Sequence, residues 1–223
     1  MEHLPDRIVY TRHPQCLHNI DNDAALRQGI QNRLSPLTPR GEQQRDITAA
    51  YLRETFRSFD AVFTSTYTRT HTIPIAMGVG QSAIPESLLD ERSMGIWHAM
   101  PRSVVEAKYP AEVGKLAATN YYDFKALDGE SCPDVEVRQE KFLSDQKRFL
   151  GCESILISGH GIAGLCLRKV LLGSTVDDWH SWQRLRNASV TVYERVNGTF
   201  RCTLENFVPW KGILPERDEG REA

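Results

Sequence analysis

Arg7-Ile8-Val9-Tyr10-Thr11-Arg12-His13 and Ser154-Ile155-Leu156-Ile157-Ser158-Gly159-His160-Gly161 are the two stretches that decide the fold. Each is a short, nearly continuous apolar run rich in β-branched residues, and each ends in polar side chains. That pattern marks a strand covered on both faces, as in a parallel sheet. Asp60-Ala61-Val62-Phe63-Thr64-Ser65 has the same character. Ser189-Val190-Thr191-Val192-Tyr193-Glu194 instead alternates and leads to Asn197-Gly198, a strong hairpin signal. Thr199-Phe200-Arg201-Cys202-Thr203-Leu204 is then the returning strand.

Helical patterns lie between these runs. Thr38-Pro39 sets a capping residue before a proline at the first helical position, and the helix runs to Phe56. A second spans Tyr67 to Met77, weakened by Pro74. A third spans Pro133 to Phe149, with Val135, Phe142 and Phe149 about two turns apart. A fourth spans Gly161 to Leu172 and stops at Gly173. Strands alternating with helices predict an α/β fold: a three-layer α/β/α sandwich with a mostly parallel central sheet and one antiparallel edge. A single catalytic domain over residues 1–213 and a polar tail over 214–223 are expected.

Composition narrows the function. The 223 residues carry 27 Lys and Arg against 29 Asp and Glu, a net charge of −2. Without a positive excess, neither nucleic acid nor an anionic membrane is an expected partner. No apolar run approaches the ~18 residues of a membrane helix. Met1-Glu2-His3-Leu4-Pro5-Asp6-Arg7 has no basic flank before an apolar stretch, so no signal peptide is expected. Cys16, Cys132, Cys152, Cys166 and Cys202 are odd in number and form no CxxC pair. A reducing, cytoplasmic setting follows as an expectation, with Cys166 in the core.

In open α/β sheets, ligands bind beyond the carboxyl ends of the strands. The first strand ends in Arg12-His13, the second is followed by Arg69, and the third ends in His160-Gly161. If these strands are parallel neighbours, two arginines and two histidines meet at one sheet edge. Arginine bonds phosphate oxygens in pairs, and an oriented histidine can act as a nucleophile. No spacing suits a metal, so neither a metal nor a cofactor is expected. A leaving oxygen needs a proton donor, and Leu88-Leu89-Asp90-Glu91-Arg92 offers both Asp90 and Glu91.

Six segments in order resemble the histidine phosphatase superfamily, in its phosphoglycerate-mutase-like branch. They are Tyr10-Thr11-Arg12-His13 with Asn19, Leu37-Thr38-Pro39-Arg40-Gly41-Glu42-Gln43-Gln44, and Ser65-Thr66-Tyr67-Thr68-Arg69. Leu89-Asp90-Glu91-Arg92, Gly129-Glu130-Ser131 and Ile157-Ser158-Gly159-His160-Gly161 complete the set. The resemblance implies His13 as the phosphorylated nucleophile, with Arg12, Arg69 and His160 holding the phosphoryl oxygens. It implies Glu91 as general acid and then base. Asn19, Gly161 and Arg92 would be substrate-binding, Arg92 through the distal group. Two departures lie in the phosphate loop: Pro14 replaces the family's glycine, and Cys16 its Ser or Thr.

The expected function is metal-independent phosphomonoester hydrolysis through a phosphohistidine, on a small phosphorylated metabolite. A phosphoglycerate-mutase-type phosphotransferase and a weakened phosphate- or phosphoprotein-binding module are the rival readings. The region 101–128 holds Arg102, Lys108, Lys115 and Lys125 but no adjacent arginine pair, which favours the phosphatase. Glu130 and Ser131 read as a helix cap, and His18, His71 and His98 as pocket rim or support. Trp97, Tyr121, Tyr122 and Phe124 are candidate wall residues. A homodimer is a candidate assembly.

Overall fold

A computed structural model describes residues 4–119 and 121–215. Of the expected tail, residues 216–223 lie outside this range, as do Met1, Glu2 and His3 at the expected leaderless start. In chain order the regular elements are β1 (Arg7–Arg12), α1 (Leu17–Ile20), α2 (Asn22–Arg27), α3 (Pro39–Phe56), β2 (Ala61–Thr64) and α4 (Thr68–Ala76). Next come β3 (Ile84–Pro85), α5 (Arg102–Lys108), α6 (Pro110–Ala118), α7 (Cys132–Ser144) and β4 (Ser154–Gly159). The last are α8 (Gly161–Leu172), α9 (Val176–Ser181), β5 (Val190–Val196) and β6 (Thr199–Phe207). Short 3-10 turns fill several connections.

The sheet runs β3-β2-β4-β1-β5-β6. β3, β2, β4 and β1 are mutually parallel, and β5 and β6 form the antiparallel edge. The three strands expected to carry the site are therefore adjacent, in the order β2-β4-β1.

Both faces of these strands are buried, which explains their unbroken apolar runs. Ile8, Tyr10, Ile155 and Ile157 face one cluster with Phe63, Phe142 and Leu167 from the side of α7 and α8. Val9, Leu156 and Val190 face the other, with Leu52, Ile73 and Trp210. Burying one such side chain contributes about 1.5–3 kcal/mol, so the two clusters dominate the stability of the sandwich. A third, smaller cluster of Trp97, Val105, Phe124 and Ala126 sits apart from both.

Two expectations need adjustment. The third helix starts one residue earlier and is shorter than expected, spanning Cys132–Ser144. Ser131 caps it in a reciprocal pair with Asp134. Phe149 follows on a separate turn yet still packs against Phe63 and Phe142, with ring centroids 5.9 and 5.5 Å away. The buried position was legible, while the break before it was not. The sequence reading also assigned nothing between Met77 and Pro133, where β3, α5 and α6 form. These elements are two to nine residues long, too short for a clear period.

Pro74 is tolerated inside α4 for an identifiable reason. Proline lacks the N–H that would bond the Thr70 carbonyl. That carbonyl instead accepts the Ser158 hydroxyl from β4 at 2.6 Å. The helix defect thus ties α4 to the strand that ends in His160.

Gly41 lets α3 press against the loop after β1. A Cβ at this position would lie 1.9 Å from the Gln15 carbonyl oxygen. Thr38, the α3 cap, accepts from Gly41 N–H at 3.0 Å and donates to Gln15 Oε1 at 2.8 Å. Gly41→Ala is expected to destabilise the protein by about 1–3 kcal/mol. Each kcal/mol lowers the melting temperature of a chain this size by about 2–4 °C. Differential scanning calorimetry checks it, and an unchanged Tm would refute the close approach.

Candidate active site

The parallel register sets Arg12 opposite Gly159. His13 N–H then bonds the Gly159 carbonyl at 2.9 Å, so the two histidine segments leave the sheet side by side. The His13 and His160 rings lie 5.3 Å apart between centroids, at 66°. Arg12, His13, Arg69 and His160 are all at most 5% exposed.

His13 Nδ1 lies 2.7 Å from the Pro14 carbonyl oxygen. A carbonyl only accepts, so Nδ1 carries the proton and Nε2 keeps its lone pair. Burial pushes His13 well below the usual histidine range, and the Arg69 and Arg12 charges push it further. The ring is thereby kept neutral and fixed in orientation, the state a nucleophilic histidine requires. Pro14 fills this role through its carbonyl, which needs no N–H.

His160 is held on every side. Arg69 donates from Nη2 to Nδ1 at 3.4 Å, which leaves Nε2 as the protonated nitrogen, 2.7 Å from the Ser65 hydroxyl. Ser65 Oγ also accepts from Tyr67 N–H at 3.1 Å. Burial, then Arg69 and His13, push His160 well below its usual range. The Tyr10 hydroxyl donates to the His160 carbonyl and accepts from its N–H, both at 2.7 Å. Gly159 and Gly164 make room for that ring: a Cβ on either would fall within 2.6 Å of a Tyr10 atom.

Arg69 donates to the Asn32 carbonyl at 2.6 Å and Asn32 Oδ1 at 3.0 Å, and its Cζ stacks 4.7 Å from the Tyr67 ring. Its Nε is buried without a hydrogen-bond partner. No carboxylate forms an ion pair with it among the described residues. Arg12 donates to the Leu185 carbonyl.

The two candidate carboxylates separate cleanly. Asp90 accepts from Thr66 N–H at 2.7 Å and from Arg33 at 2.9 Å, which fixes it as a loop brace. Glu91 turns to the start of α8, accepting from Ile162 N–H at 3.2 Å and Ala163 N–H at 2.9 Å. It lines the same cavity as His13. A helix start favours negative charge, so this contact holds the carboxylate in place.

That cavity has a volume of about 270 Å³. Arg12, His13, Asn19, Arg69, Glu91, Arg92 and Gly161 all line it. His160 does not; it stands behind Arg69 and Ser65. Asn19 Oδ1 accepts from Cys16 N–H, Cys16 Sγ and Asn187 Nδ2, so its amide nitrogen is the group left for a ligand. A Cβ on Gly161 would stand 3.5 Å from Arg12 Nε. Arg92 donates from Nη1 to the Tyr121 carbonyl and lies 3.7 Å from Cys132 Sγ.

His18, His98, Trp97 and Tyr121 are wall residues. Tyr122 and Phe124 are buried packing instead, Tyr122 bonding Glu136 at 2.8 Å and Phe124 stacking on Trp97 at 5.1 Å. His71 contacts Thr64 Oγ1 at 3.2 Å, away from the cavity. Glu130 holds Arg138 and Ser93 N–H. Sequence reasoning missed Tyr10 and Asn187, whose partners are remote in sequence, and Tyr67, whose ring stacks on Arg69 two positions on. Among the described residues, no group of three or more His, Cys, Asp or Glu could hold a metal ion. No helix among them is long and apolar enough to cross a membrane.

Solved structures share this architecture. A putative α-ribazole-5'-P phosphatase from Escherichia coli matches with TM-score 0.71 and 17% identity, over 90% of this chain and 96% of that one. A mycobacterial glucosyl-3-phosphoglycerate phosphatase matches with TM-score 0.74 and 20% identity, over 91% and 99%. The α-ribazole phosphatase from Shigella flexneri matches with TM-score 0.71 and 20% identity, over 91% and 98%. At these identities the likeness speaks to the fold alone. Among curated proteins, no sequence matches. The family model of the histidine phosphatase superfamily (branch 1) matches residues 8–208, nearly the whole chain, and the protein belongs to that superfamily.

Proposed function

We propose that the chain is a phosphomonoesterase that works without a metal, through a phosphohistidine on His13, on a small phosphorylated metabolite. The observation that carries the reading is the buried His13 ring, its Nδ1 tied to the Pro14 carbonyl, beside two buried arginines. His13 Nε2 attacks phosphorus and the ester P–O bond breaks. Glu91 gives its proton to the leaving oxygen, then takes one from the water that cleaves the P–N bond. Arg12 and Arg69 stabilise the phosphoryl charge, and His160 joins them by exchanging its Ser65 contact for a phosphoryl oxygen. The Asn19 amide adds a donor, Gly161 borders the phosphoryl end beside Arg12, and Arg92 flanks the ester from the cavity wall.

Residues 1–213 would form the one catalytic domain. The mutase reading is weaker: of Arg102, Lys108, Lys115 and Lys125, only Arg102 lines the cavity, and it pairs with Glu106 at 2.7 Å. All five cysteines are unpaired, which supports a cytoplasmic setting. The reading calls for no nucleic acid, no membrane and no second copy of the chain.

Hydrolysis of p-nitrophenyl phosphate in excess EDTA should persist in the wild type. In His13→Ala it should fall about a thousandfold or more. Equal background rates in both would overturn the reading. Glu91→Gln should cost about 10²–10⁴ on an alkyl phosphate and far less on p-nitrophenyl phosphate, whose leaving group needs little protonation. Equal losses on both esters would remove Glu91 as the acid.

A pH dependence follows from the two buried rings. The unfolded chain protonates its histidines below about pH 6.5, while native His13 and His160 stay neutral. The unfolded state therefore binds more protons, and stability falls as pH drops below that value. The slope is about 1.4 kcal/mol per pH unit for each group. Urea titrations at pH 7.0 and 5.5 should show the loss, and His13→Asn should reduce it. Nitrogen-15 NMR should find both rings neutral at pH 6.0; a ring protonated near pH 6.5 would contradict this electrostatic account.

A further inference from the structure

The cavity has a charged floor and an apolar roof. Helix α6 is exposed except at Val113 and Leu116, which are half-buried, three residues apart on one face, and line the cavity. Trp97, Met100 and Val105 extend that surface. Trp97 is held by Phe124 at 5.1 Å and Tyr109 at 6.1 Å between ring centroids. The roof is thus a packed apolar wall rather than a fringe of loose side chains.

Several polar groups of the cavity wall are engaged with one another. Arg102 pairs with Glu106, whose negative charge also lines the cavity and opposes a second phosphate. Arg184 stacks over the Tyr121 ring at 4.6 Å. His98 accepts from Met94 N–H at 3.4 Å, and burial lowers its proton affinity. Hydroxyls of a sugar set against Val113, Leu116 and the face of Trp97 would meet apolar surface there. Each desolvated, unpaired hydroxyl costs roughly tenfold in affinity.

We propose that this site selects phosphate monoesters whose alcohol part is an apolar ring or a short alkyl chain, seated beneath Trp97, Val113 and Leu116. The proposal rests on the phosphomonoesterase reading and names its substrate class. The size agrees: a dry cavity of about 150 Å³ takes up benzene, and this one measures about 270 Å³, enough for a phosphoryl group and one ring.

The test compares esters of primary alcohols, so that leaving-group chemistry stays similar. For ethyl, butyl and hexyl phosphate, kcat/KM should climb roughly fourfold per added methylene until the roof is filled. Benzyl phosphate should exceed glucose 6-phosphate by a hundredfold or more. Leu116→Gln should lower the benzyl-to-ethyl ratio about tenfold, and Val113→Thr should lower it in the same direction. Calorimetric binding of benzylphosphonate against methylphosphonate reads the same preference without turnover. A flat ester series with equal phosphonate affinities would overturn the apolar subsite while leaving the phosphatase intact. Selective benzylphosphonate binding with no ester hydrolysed would support the subsite and sink the phosphatase reading.

Discussion

Parallel pairing between Arg7–Arg12 and Ser154–Gly159 is the constraint on which the rest of the site depends. Its register sets Arg12 against Gly159 and lets His13 N–H reach the Gly159 carbonyl. Two histidines 147 residues apart in the chain thereby emerge at one sheet edge. The Tyr10 hydroxyl then locks the backbone of His160 from below, in space left by Gly159 and Gly164. A hydrogen bond satisfied at both ends in a dry interior permits little drift. The strands are buried on both faces, so slipping the register would turn Ile155 and Ile157 toward the wrong cluster.

Two guanidinium groups buried at that edge set the chemistry. Taking a cation out of water is costly unless an anion answers it. Burial lowers the proton affinity of Arg69, and its Nε has no hydrogen-bond partner. Burial, and after it the same charges, keeps His13 and His160 neutral. On the proposed reading, a phosphoryl dianion would meet the charge of Arg69 and the lone pair of His13. Glu91, one of two carboxylates lining this cavity, is held by backbone N–H groups of Arg92 and of the α8 start.

The roof belongs to a different level of the structure. It rests on the small cluster around Trp97 and Phe124 rather than on either sheet face, and α5 and α6 expose most of their surface. Segments with few buried contacts open most easily. The fold therefore separates a rigid catalytic floor from a wall whose side chains can differ without disturbing the sheet. Selectivity can change there while Arg12, His13, Arg69 and His160 stay fixed.

By itself, the sequence determined the strands β1, β2, β4, β5 and β6, the helix α3 with its Thr38 cap, and which side chains are candidates for the site. Those signals are local: β-branched runs, a proline behind a threonine, an Asn-Gly turn, and short motifs in a fixed order. Tertiary structure alone decided which strands are neighbours, and so whether the arginines and histidines meet at all. It also separated Asp90 from Glu91, adjacent carboxylates of which one faces Thr66 and the other the start of α8. It placed His160 behind the cavity, committed Arg92 Nη1 to the Tyr121 carbonyl, and built the roof from short helices with no clear period. The physical reason is range. Propensity and capping act over a turn or two, whereas each of those outcomes depends on which groups packing brings together from distant parts of the chain.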